Sequence, residues 1–159
     1  MAGKIQAEIR VSHASIEMEV EAFLNIQRTA ELHIGQVTQL LRPHGLSPAQ
    51  YNVLRILRGS GNEGLPCGEI ANRMISRDPD ITRLIDRLSR RGLVTRVRGR
   101  QDRRVVEVAI TDRGREVLRG LDAHVDRMPK AMLGHLGARK LAQLGKLLEH
   151  VIAEIGAFP

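Results

Sequence analysis

The chain has 159 residues, of which 42% are apolar and 27% charged, proportions that are typical of a folded globular protein and exclude global disorder. The formal net charge is +7, and the whole excess lies in residues 73–104, which hold eleven Arg and four acids; the other residues hold fourteen of each sign. Charge concentrated in this way indicates a polyanionic partner rather than a surface made basic only for solubility.

The first part of the chain is predicted to be helical. Apolar residues recur at helical spacing from about 13 to 41, which predicts one long helix. A second helix follows, with Ser47 as its N-cap and Pro48 in its first position, and it ends near Gly59. Residues 59–64 match the spacing G-x-G-x-x-G, but a helix precedes them and no βαβ unit surrounds them, so we interpret them as a loop and not as a dinucleotide site.

Two more helices are predicted next. The first is short and covers residues 67–74, with its apolar residues on one face. The second covers residues 79–91, with Asp78 as its N-cap, Pro79 in its first position and Gly92 directly after its end.

After these helices the apolar residues no longer recur at helical spacing. Residues 93–98 and 105–110 are rich in β-forming side chains, and the six residues between them predict a hairpin. Thr111 then caps a helix that runs to about residue 127. Pro129 and the glycines at 134 and 137 are expected to interrupt it, before a last helix over about 138–155.

The order helix, helix, recognition helix and two-stranded wing is the plan of a winged helix-turn-helix, so we predict a mainly α fold with a small β-wing. The helix over 79–91 separates an apolar stripe from a polar face. The stripe consists of Ile81, Leu84, Ile85 and Leu88. An ordinary amphipathic surface helix would show the same stripe, but it would not explain the adjoining hairpin. Arg pairs with guanine N7 and O6, and Thr contacts a base or a phosphate, so the candidate DNA-binding residues of this helix and its approach are Arg77, Thr82, Arg83, Arg87 and Arg90.

The hairpin carries a second group of candidates. Its turn and flanks hold five arginines and a single acid, a composition that suits insertion into the narrow, electronegative minor groove better than solubility alone. We expect the acid to pin one arginine in a bidentate pair. The candidates are Arg98, Arg100, Asp102, Arg103 and Arg104, with Arg96 as the fifth arginine.

Several motifs, in this order and spacing, resemble the MarR (multiple antibiotic resistance regulator) family over about residues 13 to 155. They are Leu46-Ser47-Pro48-Ala49-Gln50-Tyr51-Asn52-Val53-Leu54, Glu69-Ile70-Ala71, Ile81-Thr82-Arg83-Leu84-Ile85-Asp86-Arg87-Leu88, Arg91-Gly92-Leu93-Val94-Thr95-Arg96, Asp102-Arg103-Arg104 and Ile110-Thr111-Asp112-Arg113-Gly114. By this resemblance, Asp102 matches the family's wing aspartate and Arg104 its minor-groove arginine. Residues 77–80, Arg-Asp-Pro-Asp, depart from the Ser- and Asp-rich segment of many members.

The resemblance implies a homodimeric transcriptional regulator, more often a repressor, that reads a pseudo-palindromic operator in double-stranded DNA. It also implies a small ligand, typically an aromatic or phenolic acid, bound between the dimerisation and DNA-binding regions. We therefore divide the chain into an N-terminal dimerisation helix (1–45), a winged helix-turn-helix domain (46–112) and C-terminal dimerisation helices (113–159).

Other classes of function find little support. The six histidines lack metal-site spacing, and no nucleophile–base or Walker motif is present, so we expect no enzyme, no metal site and no cofactor. The single Cys67 excludes an intramolecular disulfide framework, and the chain shows neither a signal peptide nor a membrane span, so we expect a cytoplasmic protein without a membrane partner. Two alternatives stay open: a redox or metal sensor on the same scaffold, and a non-specific architectural DNA binder.

Overall fold

A computed structural model describes residues 17–61, 64–76, 80–98 and 106–156. Within these ranges the chain forms six α-helices and a three-stranded antiparallel sheet. It divides into two compact units, Met1–Arg115 and Glu116–Pro159. None of the helices in the described part of the chain is long and apolar enough to cross a membrane.

Helix α1 spans Met18–Leu41 and ends where the sequence predicted. Its predicted first residues, 13–16, lie outside the described ranges. A 3₁₀ turn over Arg42–His44 follows, and Gly45 closes it with a φ of 63°, a conformation that favours glycine. Leu41 is the only buried residue of α1, so nearly all of this long helix faces outward in the single chain.

Helix α2 spans Pro48–Gly59 and confirms the predicted cap. The Ser47 hydroxyl accepts a hydrogen bond from the Gln50 backbone N–H at 3.2 Å, and the Gln50 side chain accepts one from the Ser47 N–H at 3.0 Å. This capping box satisfies two of the helix's free N–H groups. Inward-facing Val53, Leu54 and Leu57 are almost fully buried and form the centre of the core of the first unit.

Helices α3 (Cys67–Arg73) and α4 (Ile81–Arg90) form the rest of the helix-turn-helix. The predicted start of α4 was wrong: the N-cap is Asp80, not Asp78, and the helix begins two residues later. Asp80 has a non-helical backbone (φ −124°, ψ 56°), and its carboxylate accepts from the Arg83 N–H, so the helical path can begin only at Ile81. Residues 77–79 lie outside the described ranges.

The end of α4 confirms the role predicted for Gly92, which has a φ of 67°. Its N–H donates to the Ser89 carbonyl at 2.9 Å, and the Leu93 N–H donates to the Leu88 carbonyl at 3.0 Å. These two bonds are those of a Schellman motif, which turns the chain sharply out of the helix and into the sheet.

The sheet has the order β1-β3-β2 and contains one strand that the sequence did not predict. Strands β2 (Val94–Arg98) and β3 (Val106–Ile110) form the predicted hairpin. Strand β1, Leu65–Pro66, pairs with the outer edge of β3, where a proline is tolerated. Two residues containing a proline show no alternation, so no sequence pattern marked this strand.

Helix α5 spans Asp112–Leu133 and α6 spans Gly137–Gly156. Thr111 is the N-cap of α5, as predicted: its hydroxyl accepts from the Gly114 N–H at 3.1 Å. The predicted interruption at Pro129 was wrong, because the helix continues through it. A proline removes one intrahelical hydrogen bond, but its fixed φ of about −65° is itself helical. The helix ends instead at the 3₁₀ turn Gly134–Leu136, as the glycines there predicted.

Candidate nucleic-acid interface

Helix α4 separates its apolar and polar faces as the sequence predicted. Leu84, Ile85 and Leu88 are buried, and the helix packs against α2, α3 and β2. Burying a Leu or Ile side chain stabilises a protein by about 1.5–3 kcal/mol relative to leaving it exposed. Three such side chains on one stripe therefore fix the rotation of α4 about its own axis, which decides which residues face solvent.

The outward face of α4 brings together four of the predicted site residues. Thr82, Arg83, Arg87 and Arg90 are all exposed. The three arginines follow the spacing i, i+4, i+7, so they form a line along one side of the helix. Arg87 and Arg90 make no hydrogen bond or ion pair with other residues that the structure describes. Their guanidinium groups are therefore available to an anionic partner along about two turns of helix.

Arg83 is held in place at the beginning of this line. Its Nε lies 3.0 Å from Oδ2 of Asp80, and its side chain is still 79% exposed. Asp80 and Arg83, with Leu84 and Arg87, line a shallow depression on this face of α4. Asp80 thus places a carboxylate beside the first of the three arginines, at the point where the helix begins.

The wing is tied to α4 by an ion pair that sequence reasoning missed. Nη2 of Arg96 on β2 lies 2.5 Å from Oδ1 of Asp86 on α4. The sequence grouped Arg96 with the other arginines of the hairpin, whereas the structure pairs it with Asp86. Arg98 lies two residues further along β2, on the same face of the strand as Arg96, and is exposed. The pair therefore helps to hold the strand that carries the predicted site residue Arg98 against α4.

Two further polar contacts hold the helix-turn-helix together, and neither was visible in the sequence. The Asn52 side chain on α2 accepts a hydrogen bond from the Ile75 N–H in the turn before α4, at 3.0 Å. The guanidinium of Arg91 donates to the carbonyls of Gly45 and His44, at 2.5 and 2.8 Å. Because these partners are 23 and about 46 residues apart, no local motif could have signalled them.

The remaining predicted site residues cannot be placed on this face. Arg77, Arg100, Asp102, Arg103 and Arg104 lie outside the described ranges. Their contribution to the interface stays a prediction.

In the part of the chain that the structure describes, nothing assigns a redox or metal site, the alternative that the sequence left open. Cys67 is a free, half-buried thiol in the first turn of α3. Among the described residues, no group of three or more His, Cys, Asp or Glu side chains could hold a metal ion.

A helix-turn-helix with arginines along its outward face, followed directly by an antiparallel wing, defines a winged helix-turn-helix DNA-binding protein.

Comparison with known proteins agrees with this class. The MarR family model matches residues 46–106. The transcriptional repressor MdtR of Bacillus subtilis is 34% identical over 108 residues, which cover 65% of this chain and 68% of that protein. A MarR transcription factor structure from Planctomyces limnophilus is 42% identical, with a TM-score of 0.64 over 86% of this chain and 98% of its own. CouR from Rhodococcus jostii RHA1, solved bound to p-coumaroyl-CoA, is 27% identical, with a TM-score of 0.73 over 86% of this chain and 95% of its own. The chain belongs to the MarR family, whose members are transcriptional regulators and not enzymes.

Proposed function

We propose that this protein is a homodimeric repressor that binds a pseudo-palindromic operator in double-stranded DNA and releases it when a small ligand binds. The observation that carries the proposal is the outward face of α4. Arg83, Arg87 and Arg90 are exposed there, while the opposite stripe of the same helix is buried in the core. A helix anchored on one side and cationic on the other fits the major groove of B-DNA.

Each element of the interface has its own role in this proposal. Arg83 and Thr82 lie in the first turn of α4 and would reach base edges, because the N-terminal residues of a recognition helix do so. Arg87 and Arg90, further along the helix, would bind phosphates, with Arg77 doing so just before the helix. Arg98, Arg100, Arg103 and Arg104 of the wing would contact the neighbouring minor groove, with Asp102 orienting one of them.

The apolar surfaces of the long helices support a homodimer. On α1, Phe23 and Ile34 are 65% and 58% exposed, and on α6, Leu147, Ile152 and Ile155 are 57–69% exposed. None of the residues of α6 is buried in the single chain. Exposed apolar surface on this scale marks an interface, and a second copy of the chain can bury it through two-fold symmetry. We accordingly assign dimerisation to residues 1–45 and 113–159, and DNA binding to 46–112.

Ligand control is supported by a relative. CouR has been solved with p-coumaroyl-CoA, whose acyl group is phenolic. We propose an aromatic or phenolic acid, or a thioester of one, for this protein as well. The ligand would favour a dimer in which the two α4 helices do not match the spacing of the half-sites, so its binding would weaken operator binding. A regulator of this kind would act in the cytoplasm.

The test is selection of bound fragments from sheared genomic DNA, followed by footprinting of the most enriched fragment. A footprint limited to one inverted repeat, with one dimer bound, is expected. Uniform protection along the fragment would refute sequence-specific repression and favour a non-specific architectural binder. Adding p-coumarate and its coenzyme A thioester separately then shows whether either compound releases the footprint.

A further inference from the structure

Asp80 does more at the start of α4 than a helix cap requires. Its Oδ1 accepts from the Arg83 backbone N–H at 3.1 Å, which satisfies a free N–H of the first turn. Its Oδ2 lies 3.0 Å from Nε of the same arginine. A serine hydroxyl is sufficient for the first task, as Ser47 shows on α2. The second oxygen therefore has a separate effect, which is to hold the guanidinium of Arg83.

This contact decides how Arg83 can present itself to a base. A guanidinium offers paired donors along two edges, one formed by Nε with an Nη group and the other by the two Nη groups. Asp80 occupies Nε, so the edge that remains for a bidentate contact is the pair of Nη groups. A side chain that is 79% exposed would otherwise sample many rotamers and lose that freedom on binding. The ion pair restricts those rotamers before DNA arrives.

The same carboxylate also acts on the phosphates. Non-specific binding depends on the positive charge that a protein brings to the DNA backbone, and Asp80 removes one unit of it at the leading end of α4. Asp80 would thus strengthen a correct guanine contact while weakening attachment to all other sequences. Specificity is the difference between the affinity for the operator and the affinity for unrelated DNA. A single residue that raises the first and lowers the second therefore increases specificity.

We propose that Asp80 is a specificity-determining residue: it positions Arg83, through its Nη edge, to select guanine, and it suppresses binding to unrelated DNA. The inference rests on the proposed function, because it requires α4 to enter the major groove. It concerns residues 77–80, the segment in which this sequence departs from many members of the family.

The test uses four variants of the full chain. Asp80→Ser keeps an N-cap oxygen but is too short to reach Nε of Arg83. Asp80→Asn keeps the side-chain length and one acceptor oxygen for the cap, but it places an NH2 donor where Oδ2 accepts from Nε of Arg83. Arg83→Ala identifies the base pair that this arginine reads. Glu69→Gln is the matched control, because it removes one negative charge from a carboxylate that pairs with an arginine, Arg73, on the neighbouring helix α3.

Each variant is used to select duplexes from a random-sequence DNA library at fixed salt, and its Kd for the unselected library is measured. We expect the wild type to enrich guanine at one position per half-site, and Arg83→Ala to lose this preference. Asp80→Ser should lower the preference about two- to fivefold at that position alone, which is the range that an exposed ion pair supplies. It should also bind the unselected library several-fold more tightly. Asp80→Asn should lower the preference to a similar extent, because its NH2 group cannot accept from Nε of Arg83. Glu69→Gln should keep all of it.

The outcomes separate the inference from the proposed function. If Asp80→Ser keeps the full guanine preference, Asp80 is only a cap and the inference is wrong, even if library binding becomes tighter. The inference also fails if Arg83→Ala leaves the selected sequence unchanged. If the wild type enriches no sequence, the proposed function fails. Should Asp80→Ser unfold, Asp80→Asn decides alone: the preference must then fall measurably, because a single amide oxygen cannot both cap the helix and accept from Nε of Arg83.

Discussion

Gly114 lies at the junction where the sheet passes into α5, and replacing it with alanine should destabilise the protein. A Cβ at this position would lie 2.8 Å from Cγ1 of Ile110 and would overlap the carbonyl oxygen of Leu93. That oxygen cannot move freely, because it accepts a hydrogen bond from the Thr111 N–H at 3.1 Å. Gly114 itself is buried and donates to the Thr111 hydroxyl, so the helix cannot shift away without losing its cap.

Two opposing effects decide the sign of the change. Alanine in place of glycine inside a helix stabilises it by about 1 kcal/mol. Overpacking in a tightly filled region costs about 1–3 kcal/mol, and contact with a fixed backbone oxygen favours the upper end of that range. We therefore expect Gly114→Ala to lower the free energy of unfolding by about 1–2 kcal/mol.

Gly120 provides the matched control on the same helix. A Cβ there would have no neighbouring atom within 4 Å, so Gly120→Ala should stabilise the protein by about 1 kcal/mol. The assay is urea unfolding followed by circular dichroism, with all variants at one protein concentration, because the stability of a dimer depends on concentration. The two variants should differ by about 2–3 kcal/mol. Equal free energies of unfolding would refute the steric argument.

Three further predictions concern the interface and the dimer. Arg104→Ala should weaken operator binding strongly while leaving thermal stability nearly unchanged, since an exposed arginine contributes little to folding; unaltered affinity of the folded variant would exclude the minor-groove role. A double-mutant cycle of Asp86→Ala and Arg96→Ala, measured by urea unfolding, should give a coupling free energy of about 0.5–1 kcal/mol. The value is modest because both side chains are 40% or more exposed, and a coupling of zero would mean that the pair does not hold the wing to α4. Replacing both Ile152 and Ile155 with Glu should convert the proposed dimer to monomer in light scattering. Operator affinity should then fall by orders of magnitude, because a single winged domain contacts only one half-site; a stable dimer would place the interface elsewhere.

Features decided by a few neighbouring residues could be predicted from the sequence. The caps at Ser47 and Thr111 and the helix stop at Gly92 each depend on contacts within about four residues, and all three are confirmed. The buried and exposed faces of α4 follow from its 3.6-residue period in the same way. The sequence could not decide between two neighbouring candidates for the N-cap of α4. Asp78 and Asp80 have the same side chain, and only the backbone conformation of Asp80 shows which of them caps the helix.

Features decided by distant residues could not be predicted. Strand β1 exists because Leu65 meets Val108 across the sheet, and its approach depends on Gly64, where a Cβ would lie 3.0 Å from the Val108 carbonyl oxygen. The wing's attachment to α4 depends in a similar way on Asp86, whose partner lies on another element. The sequence correctly indicated that arginines concentrate near the recognition helix, but it could not separate those that bind other parts of the protein from those that face outward.

The two hydrogen bonds from Arg91 have a mechanical consequence. They join Arg91, the residue that ends α4, to the turn that follows α1. The C-terminal end of the recognition helix is therefore attached to the C-terminal end of α1. With 24 residues, α1 is about 36 Å long, and a tilt of about 10° about its clamped end moves its free end by about 6 Å. In the opposite direction, a partner bound to the free end of α1 would restrict the angle of α4. In the proposed dimer, the two hydrogen bonds of Arg91 would therefore limit the distances between operator half-sites that both recognition helices can bind together.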